Sequence, residues 1–218
     1  MIRAVLYDHD GTLVDSLPLV VAATNRVLIA RGLPALPAHD IIEGMHVATR
    51  PRMGLHAGSS DPLEQDRLAQ AFYDEARAIG DDYARPYDGV AAMIEAIATR
   101  GMAQGVVSNN QGALIRGLMA HAGLGGRFAA ILGEEDFAAP KPDPSGLLAG
   151  ADRLGVDPRD CVYVGDTIGD LRAAIAAGMR CIGCLWGISP ASAMTGVGFS
   201  ALIAHPTELP ATLSRLSG

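Results

Sequence analysis

The chain has 218 residues, of which 49% are hydrophobic, and a formal net charge of −7. This length suits one α/β domain with a modest insertion, and no apolar run reaches the roughly 18 residues that a membrane span needs. The acidic balance, the absence of basic blocks and the odd number of cysteines, three, argue against a nucleic-acid surface and a disulfide framework. Since no charged and apolar leader opens the chain, the sequence predicts a soluble cytoplasmic protein with no membrane or nucleic-acid partner.

The first predicted element is a short buried strand that ends at two acids. Residues 4–6 are apolar, and Asp8 and Asp10 follow closely. Like charges at this spacing raise one another's pKa unless a cation compensates them. Gly11 allows a sharp turn, and Thr12 adds a hydroxyl group beside the acids. The stretch predicts a cation site or, as the alternative, an ordinary acidic turn at the end of a strand.

The next stretch predicts helices only. Apolar residues recur at helical spacing after Ser16, and the first helix is expected to end near Arg31. Further helices are predicted at residues 39–45, about 48–56 and 62–82. An all-helical stretch between two strands predicts an inserted cap domain.

From residue 86 onward, strands and helices alternate. The predicted strands lie at residues 103–108, 129–132, 161–164 and 180–185, and the predicted helices at 89–100, 114–122, 144–154, 168–177 and from about 207. This alternation predicts an α/β fold with a doubly wound, Rossmann-like parallel sheet and right-handed crossovers. We expect a core domain of residues 1–14 and 86–218 and a small α-helical cap domain of residues 15–85.

Polar residues follow several of the predicted strands. In an open parallel sheet, ligands bind beyond the carboxyl ends of the strands, so these residues are expected to form one site. Lys141, the only lysine of the chain, lies in a proline-rich loop before a helix. The residues at the strand ends are Asp8 and Asp10, then Ser108, Asn109 and Asn110, then Asp166 and Asp170.

These residue types favour phosphoryl chemistry. Clustered carboxylates favour a hard cation with oxygen ligands, and Mg²⁺ fits best. The chain has no cluster of His or Cys residues that would favour zinc or a thiol nucleophile. Phosphoryl transfer needs such charge neutralisation and alignment. One carboxylate could attack phosphorus to form an aspartyl phosphate, and another could move the protons.

Four segments of the chain resemble, in order, the four motifs of the haloacid dehalogenase (HAD) superfamily. They are Asp8-His-Asp-Gly-Thr-Leu-Val-Asp-Ser16, Val107-Ser-Asn109, Lys141-Pro-Asp-Pro144 and Gly165-Asp-Thr-Ile-Gly-Asp170. The resemblance covers nearly the whole chain. The helical insertion and the segment Arg85-Pro-Tyr-Asp-Gly-Val90 are similar to the branch that contains phosphoglycolate phosphatase and β-phosphoglucomutase.

By this resemblance, Asp8 is the nucleophile and Asp10 is the general acid and base. The resemblance also implies that Asp8, the backbone carbonyl of Asp10 and Asp166 hold Mg²⁺. The name-giving dehalogenases lack a carboxylate two residues after the nucleophile, because a halide leaving group needs no proton. Asp10 therefore favours phosphoryl transfer.

The resemblance further implies a binding site for the phosphoryl group. Ser108, the amide of Asn109 and Lys141 would bind the phosphoryl oxygens. Asp170 would orient Lys141 or metal-bound water. His9 is expected to pack in the core, because strand alternation turns it away from the two acids.

The sequence thus predicts a Mg²⁺-dependent phosphatase for a small phosphorylated metabolite, with phosphoglycolate as the first candidate. The alternatives are a β-phosphoglucomutase-like phosphomutase, a dehalogenase and a non-catalytic receiver or binding protein that accepts a phosphoryl group. In the cap, Arg50 and Arg52 could bind a substrate carboxylate or second phosphate, or could be solvated helix charges. The sequence does not predict an oligomeric state.

Overall fold

A computed structural model describes residues 1–217 of the chain, except for the side chain of His46. The strands are β1 (Ala4–Tyr7), β2 (Val14–Asp15), β3 (Arg85–Pro86), β4 (Ala103–Val107), β5 (Ala130–Leu132), β6 (Cys161–Gly165), β7 (Arg180–Cys184) and β8 (Ala201–Ile203). Within the described residues, six strands form one parallel sheet in the order β5-β4-β1-β6-β7-β8. The two-residue strands β2 and β3 pair antiparallel.

Some helices cover the two faces of the six-stranded sheet, and others lie in the insertion between β2 and β3. The helices are α1 (Leu17–Ala30), α2 (Ala38–Glu43), α3 (Thr49–Ala57), α4 (Pro62–Tyr83), α5 (Val90–Ala98), α6 (Gly112–His121), α7 (Ser145–Leu154), α8 (Ile168–Ala176), α9 (Ala191–Met194) and α10 (Leu209–Ser217). Buried residues of α5, α6 and α10 pack on one face, and those of α7 and α8 pack on the other. The predicted doubly wound α/β fold is confirmed.

Strand β1 lies at the centre of the sheet, between β4 and β6. All four of its side chains are fully buried. Val5 and Tyr7 point to one face of the sheet, and Ala4 and Leu6 point to the other. A parallel strand that is covered on both faces needs apolar residues at successive positions, which explains the apolar run that precedes Asp8.

The helices α1 to α4 lie in the chain between β2 and β3. Leu19 of α1, Ile41 of α2, Met53 of α3 and Phe72 of α4 are all buried in one apolar cluster. The pairing of β2 with β3 brings residues 14 and 86 opposite each other, so the chain leaves and rejoins the sheet at one place. The division into a core domain and a cap domain stays a prediction.

Three short strands were not predicted from the sequence. β2 and β3 have two residues each, and β8 has three residues at the edge of the sheet. Such segments are too short for a hydrophobic period to be recognised.

No helix within residues 1–217 has both the length and the apolar character needed to cross a membrane. The cytoplasmic location stays a prediction.

The burial of β7 predicts a matched pair of stability effects. Ile182 is fully buried in β7, whereas Ile175 on α8 is 60% exposed. We expect Ile182→Ala to lower the free energy of unfolding by about 2–5 kcal/mol because it leaves a cavity, and Ile175→Ala to change it by less than about 0.5 kcal/mol. Urea unfolding of both variants measures the difference. Equal losses would contradict the assignment of β7 to the core.

Candidate active site

The residues predicted to form the site meet at the carboxyl ends of β1, β4 and β6. Asp8 follows β1, Ser108 follows β4 and Asp166 follows β6. A cavity of about 970 Å³ opens at this edge, and residues of α2 and α3 line its other side. The candidate residues that line this cavity are Asp8, Asp10, Arg52, Ser108, Asn109, Asn110, Lys141 and Asp170, whereas Asp166 is fully buried and does not line it.

The ammonium group of Lys141 is buried and has three acceptors. Its Nζ lies 2.8 Å from Asp8 Oδ1 and 2.7 Å from Asp170 Oδ1, and donates to the hydroxyl of Tyr163 at 2.8 Å. Burial alone would lower the pKa of Lys141, but the two carboxylates raise it well above its usual value. The Tyr163 hydroxyl in turn donates to the carbonyl of Val107 at 3.0 Å. The contact of Tyr163 with Lys141 could not be predicted from the sequence, because a tyrosine in an apolar strand is typical of a core residue.

Asn109 fixes the loop that carries Lys141. The backbone N–H of Lys141 donates to Asn109 Oδ1 at 2.8 Å, and Asn109 Nδ2 donates to the carbonyl of Lys141 at 3.2 Å. This reciprocal pair joins the end of β4 to a loop more than thirty residues later in the chain. The side chain of Asn109 therefore positions the lysine, while the role predicted for Asn109 concerned its backbone amide.

Asp8 is buried, and only one of its carboxylate oxygens is engaged. Oδ1 accepts from the backbone N–H of His9 at 2.8 Å and lies against Lys141. Within the described residues, Oδ2 accepts no hydrogen bond. Burial raises the pKa of Asp8 to about 7, and Lys141 partly offsets this effect. Asp8 thus has one free oxygen that could attack or coordinate.

Asp166 lies in a tight space between two glycines. Its Oδ1 accepts from Thr12 Oγ1 at 3.1 Å, and its Oδ2 accepts from the backbone N–H of Ile188 at 2.7 Å. A Cβ atom on Gly11, where φ is +76°, would lie 2.3 Å from Asp166 Oδ2, and one on Gly187 would lie 2.4 Å from it. Burial, with the charges of Asp170 and Asp8, raises the pKa of Asp166 well above its usual value.

Three buried carboxylates form a cluster that fits a divalent cation. One oxygen each of Asp8, Asp166 and Asp170 lies within 4.8 Å of the others. Asp170 has the fewest free acceptor positions, because Oδ1 contacts Lys141 and Oδ2 accepts from the N–H and the hydroxyl of Thr167 at 2.9 and 2.6 Å. Asp8 and Asp166 are therefore better ligands than Asp170, whose contacts suit the orientation of Lys141.

The side chain of Asp10 lies outside this cluster. Its Oδ2 accepts from Asn110 Nδ2 at 2.6 Å and from Ser108 Oγ at 3.4 Å, and its Oδ1 accepts from Ser16 Oγ. Burial alone would raise the pKa of Asp10, but the contact with His9 and the hydrogen bonds from Ser16 and Asn110 hold it well below its usual range. Asp10 is therefore a carboxylate in the free protein.

His9 contacts Asp10 and does not only pack in the core. Its Nδ1 lies 3.2 Å from Asp10 Oδ1, although the ring is buried. The expectation that strand alternation turns His9 away from both acids is wrong, because β1 ends at Tyr7 and the alternation ends with it.

The structure separates the two arginines that the sequence proposes for the cap. Arg50 is exposed, pairs with Asp66 and does not line the cavity. Arg52 is 4% exposed, lines the cavity and has its guanidinium 5.1 Å from the centre of the Phe72 ring. Its Nε has no hydrogen-bond partner within residues 1–217. The position of Arg50 does not support a role in substrate binding, whereas Arg52 faces the site.

Comparisons with known proteins agree with this fold. The family model for haloacid dehalogenase-like hydrolases matches residues 5–184. Phosphoglycolate phosphatase of Xylella fastidiosa (strain 9a5c) is 36% identical over 185 residues, 85% of this chain and 81% of that protein. N-acetylmuramic acid 6-phosphate phosphatase of Pseudomonas aeruginosa is 31% identical over 221 residues, 98% and 96% of the two chains.

Solved structures show the same fold. CbbY from Rhodobacter sphaeroides in complex with phosphate has a TM-score of 0.84 at 24% identity, with 98% of this chain and 100% of that chain covered. The family match, the two relatives and the shared fold lead to one conclusion. The chain belongs to the haloacid dehalogenase-like hydrolases and is a phosphatase, a phosphoric monoester hydrolase, of that family.

Proposed function

We propose that this phosphatase is Mg²⁺-dependent, acts through an aspartyl phosphate on Asp8, and hydrolyses a small phosphate ester that also carries a carboxylate. One observation carries the proposal. A single cavity joins Asp8, with its free oxygen, and the Lys141 ammonium group on one side to the buried Arg52 on the other.

The carboxylate cluster supports the choice of cation. Asp8, Asp166 and the backbone carbonyl of Asp10 would hold Mg²⁺, because hard oxygen donors are the ligands that it prefers. When bound, the cation neutralises negative charge on the phosphoryl oxygens and on the attacking carboxylate. Asp170 would stay with Lys141, since its own oxygens are already occupied.

The chemical steps follow from the two acids. Asp8 Oδ2 attacks phosphorus, and the bond from phosphorus to the leaving oxygen breaks with its electron pair on that oxygen. Asp10 gives this oxygen a proton, then takes a proton from the water that attacks the phosphorus of the aspartyl phosphate. Phosphate departs and the Asp8 carboxylate is restored. Asp10 needs a proton for the first step, and we expect the dianionic phosphoryl group beside it to raise its pKa.

The phosphoryl oxygens would be bound by Ser108, the amide of Asn109 and Lys141. The three donors of Lys141 already have protein acceptors. We expect a phosphoryl oxygen to replace Asp8 as one acceptor when Asp8 turns to attack. The ammonium charge would then remain within reach of the phosphoryl group throughout the reaction.

Arg52 supports a carboxylate on the substrate. A guanidinium group binds a carboxylate through two parallel hydrogen bonds. We propose that the cap domain, residues 15–85, brings Arg52 over the core domain of residues 1–14 and 86–218. Phosphoglycolate, a phosphate ester of a carboxylic acid, is the first candidate substrate.

The size of the cavity favours a second candidate. About 970 Å³ lies at the upper end of ligand-binding pockets and exceeds the volume of phosphoglycolate. N-acetylmuramic acid 6-phosphate also carries a carboxylate and is much larger. The relative that is named for this substrate aligns with 98% of the chain.

The reaction predicts a metal-dependent release of phosphate. We expect the protein to release phosphate from phosphoglycolate or N-acetylmuramic acid 6-phosphate with Mg²⁺, and Asp8→Asn to lower kcat by about a thousandfold or more because the nucleophile is lost. Release that persists in EDTA or in Asp8→Asn would contradict the proposal. Conversion of a hexose 1-phosphate to its 6-phosphate without phosphate release would support the phosphomutase alternative.

The two cap arginines predict a selective loss of affinity. Arg52→Ala should raise KM for an acid such as N-acetylmuramic acid 6-phosphate by about 10-fold to 100-fold. KM for N-acetylglucosamine 6-phosphate, which lacks the carboxylate, should change little. Arg50→Ala is the matched control and should leave both values unchanged. An equal rise of KM for both substrates would contradict the role of Arg52. Arg52→Lys keeps the positive charge but lacks the planar guanidinium group, so it separates the contribution of the paired hydrogen bonds from that of the charge.

The raised pKa of Asp8 predicts a pH-dependent stability of the metal-free protein. The folded value of about 7 lies above the usual value of 3.8, so ionised Asp8 lowers stability fully above about pH 7 and not at all below about pH 4. Asp8→Asn should be more stable than the natural protein by about 2–4 kcal/mol at pH 8 in EDTA, with a smaller difference at about pH 5.

Unfolding measured with and without Mg²⁺ provides the control for this stability effect. Mg²⁺ should stabilise the natural protein more than Asp8→Asn, because the variant lacks one ligand. A stability difference that does not depend on pH would contradict the raised pKa of Asp8, and an equal effect of Mg²⁺ on both proteins would contradict the cation site.

A further inference from the structure

The side chain of Asn110 lies between the acid Asp10 and a helix of the cap. Asn110 belongs to the loop that joins β4 to α6, and it lines the cavity. Its Nδ2 donates to Asp10 Oδ2 at 2.6 Å, and its Oδ1 accepts from Thr49 Oγ1 at 3.4 Å. Thr49 is the first residue of α3 and is 4% exposed. One amide group therefore contacts both the catalytic acid and the cap.

The two contacts of Asn110 depend on each other. An amide has donors on its nitrogen and acceptor positions only on its oxygen. With Nδ2 facing Asp10, Oδ1 is placed to accept from the hydroxyl of Thr49. The opposite orientation would face Oδ1 toward the Asp10 carboxylate, and two acceptors would then repel each other. Since a threonine hydroxyl can donate or accept, the Asp10 carboxylate sets this orientation, and the Thr49 hydroxyl adds a second hydrogen bond that holds the same amide from α3.

The contact with Asp10 is the stronger of the two. It is short and its acceptor is charged, which makes such bonds about twice as strong as neutral ones. The other oxygen of Asp10 accepts from Ser16, next to the start of α1. The carboxylate is therefore held from both sides, and each side leads to the helical insertion.

We propose that Asn110 is a positioning residue for proton transfer, and that Thr49 joins it to the cap. With α3 over the core, Asn110 holds the Asp10 carboxyl group where it can give its proton to the leaving oxygen as the ester bond breaks. This inference depends on the proposed function, in which Asp10 is the general acid. Asn110 itself touches neither phosphorus nor the leaving oxygen in this account.

A pair of substrates isolates this role. An aliphatic leaving group, as in phosphoglycolate, needs a proton when the bond to phosphorus breaks, whereas the leaving group of para-nitrophenyl phosphate is stable as an anion. The ratio kcat/KM covers all steps up to the departure of the leaving group. Asn110→Ala should lower kcat/KM for phosphoglycolate by about 10-fold to 100-fold, and for para-nitrophenyl phosphate by less than about threefold.

Three further variants make the test specific. Gln111→Ala is the matched control, since Gln111 accepts a hydrogen bond from Arg77 of α4 at 3.1 Å and has no contact with Asp10; it should keep both values. Thr49→Val keeps the shape of the side chain and should lower kcat/KM for phosphoglycolate by about threefold to tenfold. Thr49→Ser keeps the hydroxyl group and should give kcat/KM for phosphoglycolate equal to that of the natural protein.

The outcomes separate this inference from the proposed function. A natural protein that hydrolyses none of phosphoglycolate, N-acetylmuramic acid 6-phosphate and para-nitrophenyl phosphate with Mg²⁺ would refute the proposed function, and the inference with it. If the natural protein is active but Asn110→Ala lowers both values equally, or lowers neither, only the inference is refuted. If Asn110→Ala does not fold, the comparison of Thr49→Val with Thr49→Ser decides, and equal values for these two would refute the inference.

Discussion

The buried ion pairs of Lys141 are the interaction on which the site depends. Its ammonium group is the only lysine charge of the chain, and it faces Asp8 and Asp170 at 2.8 and 2.7 Å. With Asp166 added, carboxylates outnumber this cation in a buried space, and uncompensated buried charge is costly. A buried site with this excess of negative charge favours the binding of a second cation. Once that cation is bound, the site favours an anion with several oxygen atoms. Both are requirements of phosphoryl transfer.

The fold brings these charged groups together at one edge of the sheet. β1 is buried between β4 and β6, so the loops after these three strands open at the same edge. Gly11 and Gly187 allow Asp166 to approach closely, and Asn109 fixes the Lys141 loop with two hydrogen bonds. The insertion between β2 and β3 then places Arg52 and Thr49 over that edge. In the proposed mechanism the reactive groups lie at the ends of the strands, Arg52 of the insertion selects the substrate, and Asn110 of the β4–α6 loop, in contact with Thr49 of the insertion, aligns the acid.

Much of this arrangement could be predicted from the sequence, and the remainder has physical reasons. The central strands were predictable because parallel strands buried on both faces are apolar throughout. The site residues Asp8, Asp166 and Lys141 were predictable because their motifs resemble those of a known family. The exposed position of Arg50 and the buried position of Arg52 could not be predicted, since the burial of each side chain depends on how α3 packs against α4. Tyr163 and the amide of Asn110 act through contacts between distant segments, which local spacing does not reveal.

The central claim is that Asp8 is the nucleophile and carries the phosphoryl group. The most direct measurement uses Asp10→Asn with Mg²⁺ and para-nitrophenyl phosphate, because loss of the base slows hydrolysis of the aspartyl phosphate while this leaving group needs no proton. Acid quenching, borohydride reduction and peptide mass spectrometry then locate the modified carboxyl group. We expect the modification at Asp8. Its absence from Asp8, or its presence at another carboxylate, would contradict the mechanism.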